Sequence, residues 1–300
     1  MTQALRGHLA MLCFSALVAG SFSLGSLAAN HLAPAALNAL RFAIAAGVVG
    51  MVALFTVGLP RSMWQAPWRY LALGGIFASY FILMFEGLKT APPVSAAAVF
   101  TLTPIMSGLA GYIMLRQIMT RHMAVALLIG GIGALWVIFR ADIQALLGFE
   151  VGRGEMIYLL GCAAHAVYTP MVRLLNRGEA AIQFTFGVTV ACCLVAVIWG
   201  WQDIVTTDWT ALPQIVWVTI LYVAIFASAA TFVLLQFATL RLPSAKVMAY
   251  TYLVPSWVLF WEVALGHGVP QALVMGGVAL TIVALLMLLK DEEAATAKAA

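Results

Sequence analysis

The stretch PPVSAAAVFTLTP, residues 92–104, recurs 151 positions later as PSAKVMAYTYLVP, residues 243–255. Four of the thirteen positions are identical, and the outer prolines keep their spacing in both copies. Proline at the first turn of a helix costs little, because that N–H has no partner, whereas proline inside a helix removes a hydrogen bond and bends the helix. Two apolar segments with bends at matching positions predict that the chain contains an internal duplication.

Composition predicts a membrane protein. The chain is 64% hydrophobic and only 9% charged, whereas soluble domains carry about 25% charged residues. A helix needs roughly 20 apolar residues to cross a bilayer. The predicted spans are residues 8–29, 35–58, 67–86, 92–115, 121–139, 154–175, 181–201, 211–236, 243–265 and 269–289. The expected fold is therefore an all-α polytopic membrane protein with ten transmembrane helices.

The position of the duplicated stretch predicts how the two copies are oriented. It lies in the fourth and ninth spans, so the repeating unit is five helices long. Because a unit with an odd number of spans ends on the opposite side of the membrane, the second copy crosses the membrane in the opposite direction. The predicted units are residues 1–145, an inverted second repeat at 146–290, and a disordered tail at 291–300. The segment 140–153 joins the repeats and is expected to form a short interfacial helix. Inverted repeats are typical of secondary transporters, whose substrate site lies between the halves.

The basic residues predict the orientation in the membrane. With a cytoplasmic N-terminus, eleven of the 15 Lys and Arg residues face the cytoplasm and four face outward, as the positive-inside rule requires. Both termini are therefore expected in the cytoplasm, with the chain in a plasma membrane, the inner membrane of a bacterium. Topology also explains the net charge of +4, so no nucleic-acid partner is expected. The expected partners are the lipid bilayer and a small-molecule substrate, and the expected state is a monomer.

The sequence does not predict an enzyme. It contains no nucleophile elbow, no HExxH motif and no phosphate-binding glycine loop. The four cysteines lie in apolar segments without metal-ligand or disulfide spacing, which favours a packing role. Neither a metal ion nor a cofactor is expected.

Candidate substrate-binding residues are the polar and aromatic side chains that lie deep in the predicted spans. His165 is the one ionisable side chain, cysteines apart, near the middle of a span, and tyrosines at such depth need a partner or a wet cavity. Core packing is the alternative for each residue. The candidates are His165, Tyr168, Tyr80, Phe81, Met84, Thr101, Ser228, Tyr250, Tyr252 and Trp257. Pro104 and Pro255 are predicted hinges, and the carbonyls of Phe100 and Thr251 that they free are predicted to accept a substrate ammonium group.

The remaining charged residues restrict the substrate class. Four charged residues are expected in water at the extracytoplasmic ends of spans, namely Arg41, Glu86, Lys89 and Glu262. With no Arg or Lys at binding depth, phosphorylated substrates are disfavoured. With no carboxylate there, efflux of cations and proton coupling are disfavoured as well. The expected activity is facilitated diffusion of small neutral or zwitterionic metabolites.

Two segments carry a resemblance to a known family. APAALNALRFAIAAG, residues 33–47, and GLKTAPPVSAAAVFTLTP, residues 87–104, together with the five-plus-five pattern, resemble the drug/metabolite transporter superfamily, EamA type. Within it, the overall pattern looks most like the YddG-type exporters of aromatic and other neutral amino acids. The resemblance implies a secondary transporter that works by alternating access. The alternatives are a membrane receptor or scaffold that binds a small ligand, an exporter of another metabolite or drug, and, third, an intramembrane enzyme.

Overall fold

Helices make up nearly the whole structure. The computed structural model describes residues 2–148, 151–264 and 272–299. The chain is 83% helix, and the described residues contain no strand. Eight helical segments in this part are long and apolar enough to cross a membrane. The expectation of an all-helical, multi-pass membrane protein is therefore confirmed.

The helices follow the predicted spans closely at their described ends. In chain order they are α1 Gln3–Ala28, α2 Pro34–Thr56, α3 Trp68–Leu88, α4 Pro93–Phe100, α5 Thr103–Leu115, α6 Arg121–Ile138, α7 Ile143–Leu147, α8 Arg153–Leu175, α9 Ala181–Trp199, α10 Trp201–Thr206, α11 Gln214–Ala224, α12 Thr231–Thr239, α13 Ser244–Ala249, α14 Val254–Ala264 and α15 Met275–Ala299. A π-helical segment, Ile225–Ala230, joins α11 to α12, and a 3-10 segment, Tyr250–Leu253, joins α13 to α14. The end of the predicted ninth span and the start of the tenth lie outside the described residues.

Both copies of the duplicated stretch break where the sequence predicts a bend. Helix α4 ends before α5, and Pro104 lies in the first turn of α5. In the second copy the 3-10 segment ends at Leu253, and Pro255 is the second residue of α14. Each proline therefore begins a new helix instead of bending a continuous one. A residue without an N–H fits best in a first turn, where that donor would be unpaired.

The carbonyls next to these breaks are already bonded within the protein, contrary to the expectation that they await a ligand. The hydroxyl of Thr103 donates to the carbonyl of Phe100, and the N–H of Val254 donates to the carbonyl of Thr251. With no water available at this depth, backbone groups freed by a break are satisfied by the nearest donors. Each of these two carbonyls therefore already accepts one hydrogen bond from its own chain in this structure.

Three helix pairs run antiparallel, as their contacts show. Along α1 and α11, Tyr222 donates to the carbonyl of Leu17 at 2.9 Å, and Thr219 donates to the carbonyl of Leu24 at 3.1 Å. Helix α3 meets α8 at Arg69 and Leu175 at one end and at Gly87 and Gly154 at the other. Helix α2 meets α9 at Ala35 and Gly200 and again at Gly58 and Gln183.

Helices α6 and α15 also run antiparallel and touch backbone to backbone. A Cβ atom on Gly133 would lie 2.7 Å from the carbonyl oxygen of Gly277, and one on Gly277 would lie 2.6 Å from that of Gly133. Only glycine permits this approach. Such small-residue contacts are typical of helix association in membranes, where lipid provides no hydrophobic driving force.

Two further regions bear on the sequence predictions. The connection 140–153 contains the five-residue helix α7, Ile143–Leu147, as expected. Residues 291–299 continue α15 as a helix, where a disordered tail was expected.

One buried ion pair joins the start of α3 to the connection between α8 and α9. The Arg69 guanidinium lies 2.6 Å from Glu179, and their side chains are 2% and 11% exposed. Arg69 also donates to the carbonyl of Leu175 at 2.7 Å. Burial raises the pKa of Glu179, but hydrogen bonds from Arg69 and from the Arg177 backbone N–H lower it by more, so its pKa lies below the usual value.

Neighbouring glycines of α3 provide a test of the close helix contacts. A Cβ on Gly74 would lie 2.5 Å from the Cβ of Ala191 on α9, whereas one on Gly75 would meet nothing within 4 Å. We expect Gly74→Ala to destabilise the protein by roughly 1–3 kcal/mol, because the two helices would have to separate. Gly75→Ala should be neutral or stabilising by up to about 1 kcal/mol, through helix propensity. Thermal unfolding in detergent measures both, and equal effects would contradict the contact.

The Arg69–Glu179 pair predicts a stability that depends on pH. Because the folded pKa of Glu179 is depressed, its contribution is present above the unfolded value of about 4.3 and is lost as pH falls through the folded pKa. Glu179→Gln should therefore cost roughly 1–2 kcal/mol at pH 7 and progressively less below about pH 5. Glu86→Gln removes a more exposed pair with Lys89 and should cost little at either pH. A Glu179→Gln deficit that does not shrink on acidification would contradict this assignment.

Candidate functional site

An aromatic cluster lies where α3 meets α8, and Phe77 is at its centre. The Phe77 ring stacks on Tyr168 with 3.9 Å between centroids, and lies 4.5 Å from Phe232 of α12 and 4.9 Å from Phe81. All four rings are buried. Spacings of three and four residues place Phe77, Tyr80 and Phe81 on one face of α3. The cluster therefore joins the two sequence halves through three helices.

His165 lies inside this aromatic cluster. Its ring is 4.4 Å from that of Tyr80, 5.4 Å from Phe77 and 5.9 Å from Phe100, and the residue is 2% exposed. Neither ring nitrogen has a hydrogen-bond partner among the described residues. A buried polar atom without a partner costs about 1–3 kcal/mol. This cost singles out His165 as a group that a core-packing role alone does not explain.

Two more unpartnered polar atoms lie on α12, the helix that brings Phe232 to the cluster. They are the hydroxyl of Thr231 and the side-chain carbonyl of Gln236. The Gln236 amide nitrogen does have a partner, since it donates to the hydroxyl of Tyr168 at 3.0 Å. The cluster thus combines aromatic faces with both donor and acceptor capacity that the protein leaves unused. Aromatic rings with a few polar groups are the side chains that small-molecule sites use, and here the rings are packed on one another.

Arg41 is fully buried next to the aromatic cluster, contrary to the expectation that it is solvated. Its guanidinium carbon lies 3.9 Å from the centroid of the Phe81 ring. Nε donates to Ser228 Oγ at 2.6 Å, Nη2 to the Ala227 carbonyl at 2.7 Å, and Nη1 to Asn38 Oδ1 at 3.4 Å. Packing of α2 against the middle of the α11–α12 segment removes this side chain from water. The premise that no Arg or Lys lies at binding depth is therefore wrong.

The segment that accepts the Arg41 hydrogen bonds is the π-helix Ile225–Ala230. Ser228 accepts from Arg41 and donates its own hydroxyl to the carbonyl of Val223 at 2.7 Å, five residues back. Single π turns inside α-helices are rare and occur frequently at functional sites. The Ala227 carbonyl that accepts from the guanidinium lies within this π segment.

Five of the predicted site residues lie together in or next to the aromatic cluster, and the other five lie apart from it. His165, Tyr168, Tyr80 and Phe81 belong to the aromatic cluster, and Ser228 adjoins it through Arg41. Met84 is buried in the core one turn beyond Phe81. Four others lie elsewhere. Tyr250 bonds His8 at 3.0 Å, Trp257 donates to Ser15 at 3.1 Å, and Thr101 and Tyr252 line a separate groove between α5, α6 and α8.

Several residues of this region were missed by sequence reasoning. Arg41 is the most informative, and its position offered a signal: it follows the first residue of α2 by seven positions, about 10 Å along the axis. A side chain at that depth is too far from the helix end to be assigned to water on the basis of sequence position. Phe77 and Gln236 carry no such signal, because one buried aromatic or amide in an apolar helix looks like any other.

The site contains no evident catalytic or metal-binding arrangement. No three His, Cys, Asp or Glu side chains in the described ranges are placed to hold a metal ion. The groups available for binding are a guanidinium, several aromatic faces, and unpartnered donors and acceptors. They can hold a ligand that carries an apolar side chain and polar or charged ends.

Comparison with known proteins identifies the family and the fold of the chain. The model of the EamA-like transporter family matches residues 5–139 and 152–290. An uncharacterized transporter of Bacillus subtilis, YyaM, is 24% identical over 274 residues, which is 90% of each chain. A crystal structure at 20% identity shares the fold, with a TM-score of 0.74 over 95% of this chain and 96% of that one. Because the family model covers nearly the whole chain, this protein is a member of the EamA-like transporter family, within the drug/metabolite transporter superfamily.

Proposed function

We propose that this transporter exports aromatic and other neutral amino acids by alternating access, as the YddG-type exporters do. The observation that carries the proposal is the buried aromatic cluster with its unpartnered polar groups, His165 above all. The proposed location is the inner membrane of a bacterium, with both termini in the cytoplasm and the protein acting as a monomer. Transport would follow the substrate gradient by facilitated diffusion.

The pairing of helices supports ten spans arranged as two inverted repeats, residues 1–145 and 146–290. Three of the five spans of the first half pack antiparallel on their counterparts in the second half: the second on the seventh through α2 and α9, the fourth on the ninth through α5 and α13, and the fifth on the tenth through α6 and α15. The contact of α3 with α8 is matched by that of α1 with α11–α12. An inverted repeat around a two-fold axis requires this pattern. The two separate matches to one family model, 5–139 and 152–290, also support a duplication.

A closed contact between α5 and α13 supports alternating access. The backbone N–H of Ser244 donates to Gln117 Oε1 at 2.9 Å, and a Cβ on Gly108 would lie 3.4 Å from that of Ala245. These helices follow or precede the proposed hinges at Pro104 and Pro255. Separation of α5 from α13 at this end would open a path from the cytoplasm to the aromatic cluster.

The cluster suits an amino-acid side chain and its ammonium group. The rings of Phe77, Tyr80 and Tyr168 stack on one another in this structure, and opening of the cluster would free their faces for stacking or for a cation–π contact with an ammonium group. The unpartnered nitrogen atoms of His165 would complete hydrogen bonds to the ligand. A receptor or scaffold that binds the same ligand without moving it remains the alternative from another class, and export of another metabolite is a second.

A histidine substitution separates a ligand-binding role from core packing. His165→Phe keeps an aromatic ring and removes two unpartnered buried nitrogens, so the protein should be as stable as wild type or more stable. Exchange of radiolabelled phenylalanine in proteoliposomes should nevertheless fall about tenfold or more, as loss of one hydrogen bond in a binding site predicts. The exposed His31 provides the control, because His31→Phe should leave exchange unchanged. Undiminished exchange in His165→Phe would argue against the proposed site, and binding without exchange in wild type would favour a receptor.

Single cysteines test the proposed topology. In a variant without the four native cysteines, a membrane-impermeant maleimide should label Ala145→Cys, in α7, on intact cells. Met119→Cys, between α5 and α6, should react only after permeabilisation. Both positions are exposed in the structure. The opposite labelling pattern would reverse the proposed orientation.

A further inference from the structure

We propose that Arg41 binds the carboxylate of the transported substrate. When no substrate is bound, Arg41 bonds the π-helix instead, as it does in this structure. This inference rests on the proposed function and names the part of the substrate that the buried guanidinium recognises. The argument starts from how the charge of Arg41 is compensated.

Among the described residues, the hydrogen-bond partners of Arg41 are all neutral groups. Its acceptors are the Ser228 hydroxyl, the Ala227 carbonyl and the Asn38 amide oxygen, and no carboxylate of the described residues lies within 4 Å of it. A buried cation is costly unless an anion pairs with it, and intramembrane ionisable residues mark substrate sites by default. Arg69 gives the contrast within this chain, because its buried guanidinium is paired with Glu179.

The geometry of the guanidinium favours a carboxylate as that anion. Arginine presents its N–H donors as a planar fork that a carboxylate bonds through both oxygens, and such charge-assisted bonds are about twice as strong as neutral ones. Nε and Nη2 already bond two neighbouring oxygens, Ser228 Oγ at 2.6 Å and the Ala227 carbonyl at 2.7 Å. The two oxygens of a carboxylate can accept hydrogen bonds from the same two donors, Nε and Nη2, in place of Ser228 and Ala227.

The exchange would be linked to the shape of the α11–α12 segment. The Ala227 carbonyl that accepts from Arg41 lies within the π-helix, a segment that differs from an α-helix in its hydrogen-bond spacing. When a carboxylate replaces it, that carbonyl loses the hydrogen bond from Arg41, whereas the Ser228 hydroxyl keeps its own bond to the carbonyl of Val223. A change of the segment between π and α hydrogen bonding would give the Ala227 carbonyl a new donor, so that substrate binding would act directly on one helix of the second half.

The neighbours of Arg41 determine where the rest of the substrate lies. Phe81 lies under the guanidinium and is 4.5 Å from Tyr80, which is 4.4 Å from His165. A substrate held at Arg41 by its carboxylate would place its ammonium group and side chain along these rings. A single guanidinium fits a monoanion, whereas a phosphate near charge −2 would need further cations.

Competition in the wild-type protein tests the inference without depending on any variant. In proteoliposomes that exchange labelled phenylalanine, 3-phenylpropionate, which keeps the carboxylate and lacks the ammonium group, should compete. Phenethylamine and phenylalaninamide, which lack the carboxylate, should compete at least about tenfold less well, as loss of a charge-assisted contact predicts. Inorganic phosphate should not compete. Equal competition by the amide would overturn the role of Arg41, and absence of phenylalanine exchange would overturn the proposed function on which it rests.

Substitution then assigns the effect to Arg41. Arg41→Gln should lose phenylalanine exchange about tenfold or more and reduce the preference for 3-phenylpropionate over phenethylamine. Arg41→Lys keeps the charge without the fork and should retain part of both. Arg69→Gln, which removes the paired arginine, should lower stability and leave the preference unchanged. A preserved preference in folded Arg41→Gln would refute the inference, and if that variant does not fold, the same comparison in Arg41→Lys decides.

Discussion

The constraint on which this structure depends is that polar groups buried among membrane-spanning helices find no water. Each break in a helix therefore comes with its own replacement bonds. Thr103 serves the carbonyl of Phe100, and Val254 serves that of Thr251. The π-helix next to Arg41 follows the same logic, since the carbonyl of Ala227 bonds a guanidinium from another helix. Irregular backbone at this depth is stable only where such partners exist.

Some polar groups escape this rule, on His165 of the aromatic cluster and on the adjoining helix α12, and also elsewhere on Ser107, Thr185, Tyr252 and Ser256. Both nitrogens of His165, the hydroxyl of Thr231 and the side-chain carbonyl of Gln236 have no partner among the described residues. Arg41 has hydrogen bonds but no counter-charge there. An unpartnered histidine next to a buried arginine without a counter-charge is the combination expected of a site that binds a ligand in part of its working cycle.

The two sequence halves contribute differently to this region. The residue 151 positions after Arg41 is Cys192, a neutral side chain whose thiol bonds the carbonyl of Gly74 at 3.5 Å. The position corresponding to His165 in the first half is Phe14, a buried apolar residue. The two halves thus have similar helices but different side chains at matching positions. The first half contributes the charged Arg41, and the second half contributes His165.

The sequence by itself determined that the chain is helical, membrane-embedded and broken at two matching prolines, because these depend on composition and on local backbone chemistry. It also identified His165, Tyr168, Tyr80 and Phe81 as deep polar or aromatic residues. Only the tertiary structure decided that these four share one cluster with Phe77 and Phe232, and that Tyr250, Tyr252 and Trp257 lie elsewhere. The burial of Arg41 was likewise decided by tertiary packing. Whether a charge seven residues into a helix reaches water depends on which helix covers it, and here the middle of the α11–α12 segment does.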